Sequence, residues 1–370
     1  MYQRVRFGLA LCAMASLFAT GCAGGAMLRV APAPSTDAAS RAPADAAAAA
    51  AGGGVAALGS YNIDPAKVFV AGISSGGFFG VQMHVAHSST FKGAAIYAGG
   101  VYYCAQDNIG IALGACGGEG LYQSTLALSE TYLDQQSAAG TIDAEGNLRG
   151  APIYLWSGTQ DTIVKPQEMN DLQTEYEHYG ANVFKYDNAY PAGHGWESPD
   201  GELACGTQAS PYMISCPSGS GAYDSEQTWL NAFFGKLKPR NNGTLTGTLV
   251  RFDQTAFGAA ASNSMDTNGY VFVPKDCASG HPCGVVLALH GCLQTQADIG
   301  TKFITESGID AWADRNSIVV LYPYAVKSST VPLNPNGCWD WWGYDDANYA
   351  LKSGTQISIV YKMVQRLMGR

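Results

Sequence analysis

Gly72-Ile73-Ser74-Ser75-Gly76 is the only GxSxG in this chain of 370 residues. A serine flanked in this way is a candidate nucleophile for acyl transfer, because small neighbours let the backbone turn sharply and expose the hydroxyl. In a chain with 45 glycines the pattern alone is weak, and a glycine-rich turn without chemistry is the alternative. Its setting strengthens it. KVFVA, Lys67 to Ala71, reads as a buried strand directly before it, and FFGVQMHVAHSSTF has helical length directly after. A helix starting there aims backbone N–H groups at developing negative charge.

Such a serine needs an acid and a base later in the chain, in the order Ser, Asp, His. Asp161 lies in GTQDTIV, just past the strand-like APIYLWSG. His194 lies in PAGHGW, between Gly193 and Gly195, and follows NVFKYDNA. A histidine on a glycine-flanked loop suits reach across a site better than core packing. Asp187 is a rival acid, but it sits at the end of a strand rather than beyond it. His84 and His87 read as packing or surface residues, His178 as solvated, and His281 has no obvious partner. The oxyanion also needs donors, the first being the N–H of Ser75. LALHGCLQ, Leu287 to Gln294, ends a strand in an HG turn containing His290, so the amide of Cys292 is the second candidate. In the usual α/β-hydrolase order that strand precedes the nucleophile strand, whereas here it follows by about 215 residues.

The elements that must hold these loops alternate in type. GAAIYAGG, APIYLWSG, NVFKYDNA, GYVFVPK, GVVLALHG and SIVVLYP read as further strands. Helices are expected over Met169–Tyr179, from Ser225 through Leu237, over Ile304–Arg315 and over Gly354–Leu367. Between the halves, 239–268 reads as a polar connector with one candidate strand, TGTLVRF. The pattern predicts an α/β fold with a mostly parallel sheet covered by helices on both faces. One catalytic domain is expected over 57–370, with halves 57–238 and 269–370. No internal repeat and no dinucleotide or P-loop glycine pattern occurs.

Composition sets limits. With 47% hydrophobic and 14% charged residues, the chain is too apolar for disorder and too poor in charge for a coiled coil. A net charge of −9 argues against nucleic acid as a partner. Arg4 and Arg6, the apolar run Phe7–Ala19 and the small residues ending at Gly21 have the order of an export signal, expected over 1–21. Losing both arginines takes the net charge to −11. Cys22 directly after Gly21 fits a lipoprotein box, leaving two outcomes open, lipidation at Cys22 with membrane attachment or plain secretion. Residues 22–56, rich in Ala, Pro and Gly, read as a tether.

Apart from Cys12 and Cys22, the cysteines are Cys104, Cys116, Cys205, Cys216, Cys277, Cys283, Cys292 and Cys338. An even number in an exported domain points to disulfides, although eight allow on the order of a hundred pairings. No CxxC or HExxH occurs, so neither a metal nor an organic cofactor is expected.

The stretch VFVAGISSGGFFGVQMHVAHSSTFKGAAIYAGGVYYCA, with GTQDTIV and PAGHGW, resembles the polyhydroxybutyrate depolymerase family, in particular its circularly permuted single-domain members. LALHGCLQT, VVLYPYA, NPNGCWDWWGY and the closing helix are similar to what stands ahead of the GxSxG turn in unpermuted relatives. Joining that helix to SYNIDPAKVFVAGISSGG would restore their order and account for the displaced HG strand. The resemblance implies a circularly permuted α/β-hydrolase and a secreted or surface-anchored monomeric esterase acting on a polyester or oligoester. It implies Ser74 as nucleophile, His194 as base, Asp161 as orienting acid and the amides of Ser75 and Cys292 as oxyanion hole. Trp342 matches an aromatic residue of the family's substrate crevice, and Trp339 and Trp341 are further candidates. The family pattern also agrees with pairing of successive cysteines, with Cys292–Cys338 tying the oxyanion loop to the tryptophan loop. A feruloyl or acetyl esterase of the wider family is the nearer alternative, and a non-catalytic surface binding module the more distant one.

Overall fold

The computed structural model describes residues 55–118 and 120–370. The expected export signal, Cys12, Cys22 and the tether up to residue 54 lie outside the described residues.

Eight strands form the central sheet. In chain order they are β1 (Ile63–Ile73), β2 (Ala94–Tyr97), β3 (Pro152–Trp156), β4 (Asn182–Asp187), β5 (Thr248–Asp253), β6 (Asn268–Val273), β7 (Cys283–Leu289) and β8 (Ile318–Tyr322). Across the sheet the order is β5-β6-β8-β7-β1-β2-β3-β4. Only the β5–β6 and β6–β8 pairs are antiparallel. β1 lies between β7 and β2, parallel to both, with Val68 opposite Val285 and Gly72 opposite Leu289. The two halves of the chain therefore meet at the middle of one sheet. The C-terminal helix runs back to the start of β1, where Tyr61 N donates to Leu367 O at 2.9 Å and Arg366 Nε to Leu58 O at 2.8 Å. This is the permuted order that the HG strand required.

Buried on both faces, β1 reads as an almost unbroken apolar run. Val68 and Val70 point into one core layer, Phe69, Ala71 and Ile73 into the other. The first layer is filled from α1 (Ser75–Ala86), α3 (Leu126–Ala139), α4 (Pro166–His178) and α8 (Thr355–Leu367). The second is filled from α5 (Ser225–Phe234), α6 (Lys302–Glu306) and α7 (Ile309–Ala313). A short helix, α2 (Ile109–Gly114), sits on the loop after β2. Local chemistry sets several ends. Pro166 opens α4, Asp224 caps α5 by accepting from Gln227 N at 2.8 Å, and Gly140 at φ 73 closes α3.

The structure departs from the sequence reading in two places. The single helix expected over Ile304–Arg315 is split into α6 and α7, because Gly308 takes φ 74 between them. Helix α3 escapes notice because it buries only Ser129 and Leu133 and so carries almost no apolar period. The candidate strand TGTLVRF of the connector is present as β5, which closes one edge of the sheet and also bridges to Ala56.

Four disulfides join successive cysteines: Cys104–Cys116, Cys205–Cys216, Cys277–Cys283 and Cys292–Cys338. Such a set belongs to an oxidising environment outside the cytosol. Among the described residues no helix is long and apolar enough to cross a membrane.

Candidate active site

β1 passes into α1 through Ser74, whose φ of 56 and ψ of −125 cost about 1–3 kcal/mol for a residue with a Cβ. Two glycines make the turn sterically feasible. A Cβ on Gly72 would lie 2.1 Å from Gly76 O, and one on Gly76 would lie 2.3 Å from His290 O. Gly76 is thus where the start of α1 crosses the end of β7. Ser74 N donates to Tyr97 O at the end of β2 at 3.0 Å, and the Ser74 side chain stays half-exposed.

Asp161 lies on the loop after β3. Its Oδ1 accepts from the N–H groups of Ile163 and Val164, both at 2.9 Å, and its Oδ2 lies 2.8 Å from His194 Nδ1. The carboxylate accepts the hydrogen bond of Nδ1–H, which fixes the tautomer with its lone pair on Nε2. The loop carrying His194 is pinned on both sides. Gly193 N donates to Cys205 O at 2.9 Å, and Trp196, stacked 4.0 Å from Tyr97, donates its Nε1 to Glu226 Oε1 at 2.9 Å. Both carboxyl and imidazole are buried, and His194 lines the same crevice as Ser74.

The rival groups sit elsewhere. Asp187 accepts from Tyr154 OH at 2.9 Å and Tyr223 OH at 2.6 Å and pairs with Lys185. His84 is buried 3.0 Å from Tyr176 OH, and His87 is buried against the ring of Tyr361.

Ser75 and Cys292 line the crevice, and neither backbone N–H is taken up by a hydrogen bond among the described residues. The loop carrying Cys292 is built with some precision. Leu293 takes φ 59 and donates its N–H to Asn336 O at 2.7 Å. Gln294 Oε1 accepts from Gly291 N at 2.5 Å, while its Nε2 donates to Pro211 O at 2.7 Å. His290 donates Nδ1–H to Gly291 O at 2.7 Å and accepts from Ala325 N at Nε2, 3.1 Å away. Burial pushes its pKa down to about 4, against the opposing pull of the Gly291 carbonyl, so the ring is neutral. His290 is therefore a strut of the loop that carries Cys292.

Trp341 and Trp342 line the crevice, with Trp341 stacked 4.2 Å from Phe78. Trp339 does not reach it, which corrects its assignment as a substrate contact. Its ring is fully buried, stacked 5.0 Å from Phe79, and its Nε1 donates to His290 O at 3.0 Å. Asp340 shapes the same loop by accepting four backbone N–H groups, from Gly343, Tyr344, Asp345 and Asp346, at 2.8–3.2 Å. Its pKa is pushed up to about 7 by burial, which those four amides oppose.

The crevice has a volume of about 1010 Å³. Aliphatic side chains crowd its rim, with Ile109 52%, Leu113 46%, Leu333 61% and Val331 94% exposed. A sequence reading that looks for aromatic contacts misses them, together with Gln294, Asp340 and Tyr212. The available signal was a polar residue beside each site loop, as in HGCLQ and CWDWW.

A serine on a strand-to-helix turn at the centre of a parallel sheet, with acid and histidine on the loops after the next strands, defines an α/β-hydrolase. No protein-family model matches the chain. The poly(3-hydroxybutyrate) depolymerase of Delftia acidovorans is 39% identical over 319 residues, covering 84% of this chain and 61% of that protein. The polyhydroxybutyrate depolymerase of Talaromyces funiculosus is 35% identical over 328 residues, covering 84% of this chain and 92% of that protein. The crystal structure of a PHB depolymerase from Penicillium funiculosum superposes with a TM-score of 0.77 at 34% identity, over 85% of this chain and 99% of that one. A serine-to-alanine variant of a PHB depolymerase, solved with an R3HB trimer, superposes equally well. The chain belongs to the polyhydroxybutyrate depolymerase family. It spans 61% of the length of the Delftia relative.

Proposed function

We propose that this chain is a serine esterase that hydrolyses poly(3-hydroxybutyrate) or its oligomers. The observation that carries the reading is His194, held 2.8 Å from the buried Asp161 and lining one apolar-walled crevice with the strained Ser74. His194 Nε2 takes the proton of Ser74 as Oγ attacks an ester carbonyl of the chain. The amides of Ser75 and Cys292 receive the oxyanion. His194 then returns the proton to the departing alcohol, and water, activated by the same imidazole, releases the acyl group. The named relatives act on this polyester, and the trimer in the solved neighbour is an oligoester of the same unit. Trp341, Trp342 and the aliphatic rim supply an apolar surface for the methyl-bearing backbone of such a substrate.

The same reading makes the protein an exported monomer, with 1–21 as its signal, 22–56 as a tether and 57–370 as one catalytic domain. Cys22 is either lipidated or simply part of a secreted chain, and the mass of the mature N-terminus separates the two. The test of activity is Ser74→Ala, assayed on a 3-hydroxybutyrate trimer and on a clearing polyhydroxybutyrate emulsion, with a feruloyl ester alongside. Turnover of the trimer should fall by about 10⁵–10⁶ with thermal unfolding unchanged. Undiminished turnover in the variant, or wild-type cleavage of the feruloyl ester alone, would overturn the assignment.

A further inference from the structure

Tyr212 is a bulky aromatic residue held at φ 59, a backbone region that favours glycine. Residues kept there persist only where their surroundings over-determine them, and they gather at functional sites. The constraints on Tyr212 can be named. Its N–H donates to Ala209 O at 2.7 Å, and its carbonyl accepts from Trp196 N at 2.8 Å, two residues beyond His194. The preceding carbonyl, of Pro211, accepts from the Gln294 side chain that also holds Gly291 beside Cys292. Cys205–Cys216 closes the segment around it. Two of these ties thus run to the loops bearing His194 and Cys292.

The tyrosine ring is consequently half-exposed in the crevice wall and edge-on to the His194 imidazole, with centroids 5.9 Å apart at 78°. Its phenol oxygen makes no hydrogen bond among the described residues. A residue that merely filled space would need neither the strained backbone nor an unpaired hydroxyl on a ring packed edge-on to His194.

We propose that Tyr212 is a specificity residue that grips the alcohol side of the scissile ester, with its ring against the leaving unit and its phenol donating to that unit's own carbonyl. This rests on the esterase reading above. His194 must hand its proton to the departing oxygen, so the leaving unit lies against the imidazole and hence against the ring that walls it. In an oligomer of a 3-hydroxy acid, the departing alcohol carries a further carboxyl or ester carbonyl a few bonds away. A leaving group without one has nothing for the phenol to hold.

The experiment compares kcat and KM for wild type and Tyr212→Phe on a 3-hydroxybutyrate trimer and on p-nitrophenyl butyrate, whose leaving alcohol bears no carbonyl. Loss of one neutral hydrogen bond should lower kcat/KM on the trimer about tenfold and leave the nitrophenyl ester within about twofold. Tyr212→Asn, which tolerates the same backbone region, should show the same split with a larger loss on the trimer. Equal losses on both substrates would make Tyr212 a support for His194 and overturn the proposal, as would no loss on either. A wild type that cleaves the nitrophenyl ester but no trimer would instead refute the polyester reading.

Discussion

Replacing Asp161 by asparagine tests the base and its orienting acid with the least disturbance to the fold. The two carboxylate oxygens of Asp161 do different work. Oδ1 accepts two backbone N–H groups at 2.9 Å, whereas Oδ2 faces His194 Nδ1 at 2.8 Å. An asparagine must keep its carbonyl oxygen on the two amides, because its NH₂ cannot accept from them. The NH₂ then points at Nδ1 and donates, which forces the imidazole proton onto Nε2, the atom that has to receive the proton of Ser74. A loss of about 10⁴ in kcat is expected, equivalent to about 5.5 kcal/mol of transition-state stabilisation. Stability should change little, since both backbone bonds survive. Asp161→Ala orphans the same two amides and should cost about 1–3 kcal/mol in unfolding free energy as well as activity. The assay is kcat on p-nitrophenyl butyrate, with urea unfolding of both variants. If the asparagine variant kept more than about a hundredth of wild-type kcat, the tautomer argument would fail.

Two further outcomes follow from the loop architecture. Replacing Cys292 and Cys338 together by serine removes a bridge spanning 46 residues, about 4 kcal/mol in the chain-entropy model, and should also cut kcat about tenfold or more as the Cys292 amide loosens. The same change at Cys277 and Cys283, spanning 6 residues, should cost about 2 kcal/mol and leave kcat alone; equal kcat losses would deny the first bridge its role in the site. His290, held neutral with its pKa lowered to about 4, binds fewer protons folded than unfolded. Its contribution is complete above about pH 6.5 and is lost as pH falls towards 4, at about 1.4 kcal/mol per pH unit. His290→Gln should therefore show a shallower acid limb in unfolding measured from pH 7 to 4, and an unchanged slope would contradict that account.

Much of the candidate site is legible in the sequence because Ser74 follows a strand directly and Asp161 and His194 lie on the loops after two others. KVFVAGISSGG shows strand, glycines and serine in one line, and APIYLWSGTQD and NVFKYDNAYPAGH repeat the strand-then-loop form. The central strands stand out as unbroken apolar runs because both faces of the sheet are buried. What escapes is set by tertiary contact. Trp339 lies in the same short run as Trp341 and Trp342, yet the bond from its Nε1 to His290 O turns it into the core. Nothing in SPYMI marks Tyr212, whose backbone state is imposed by Gln294 and Trp196 from distant parts of the chain. Asp340 reads as one acid among several until its carboxylate is seen to collect four amides.

The seam between β1 and β7 also governs how the molecule comes into being. Val68 finds its partner in Val285, more than 200 residues later, and β1 is the strand that delivers Ser74. During synthesis the part of the chain bearing serine, acid and histidine emerges first, with the inner edge of β1 unsatisfied. That edge is long, apolar and open to mispairing until the last quarter of the chain arrives. Pairing so remote in sequence makes closure of the sheet slow compared with local helix formation. On the proposed function, the site is completed late in chain order: a nascent chain can hold Ser74, Asp161 and His194 and still lack the Cys292 amide.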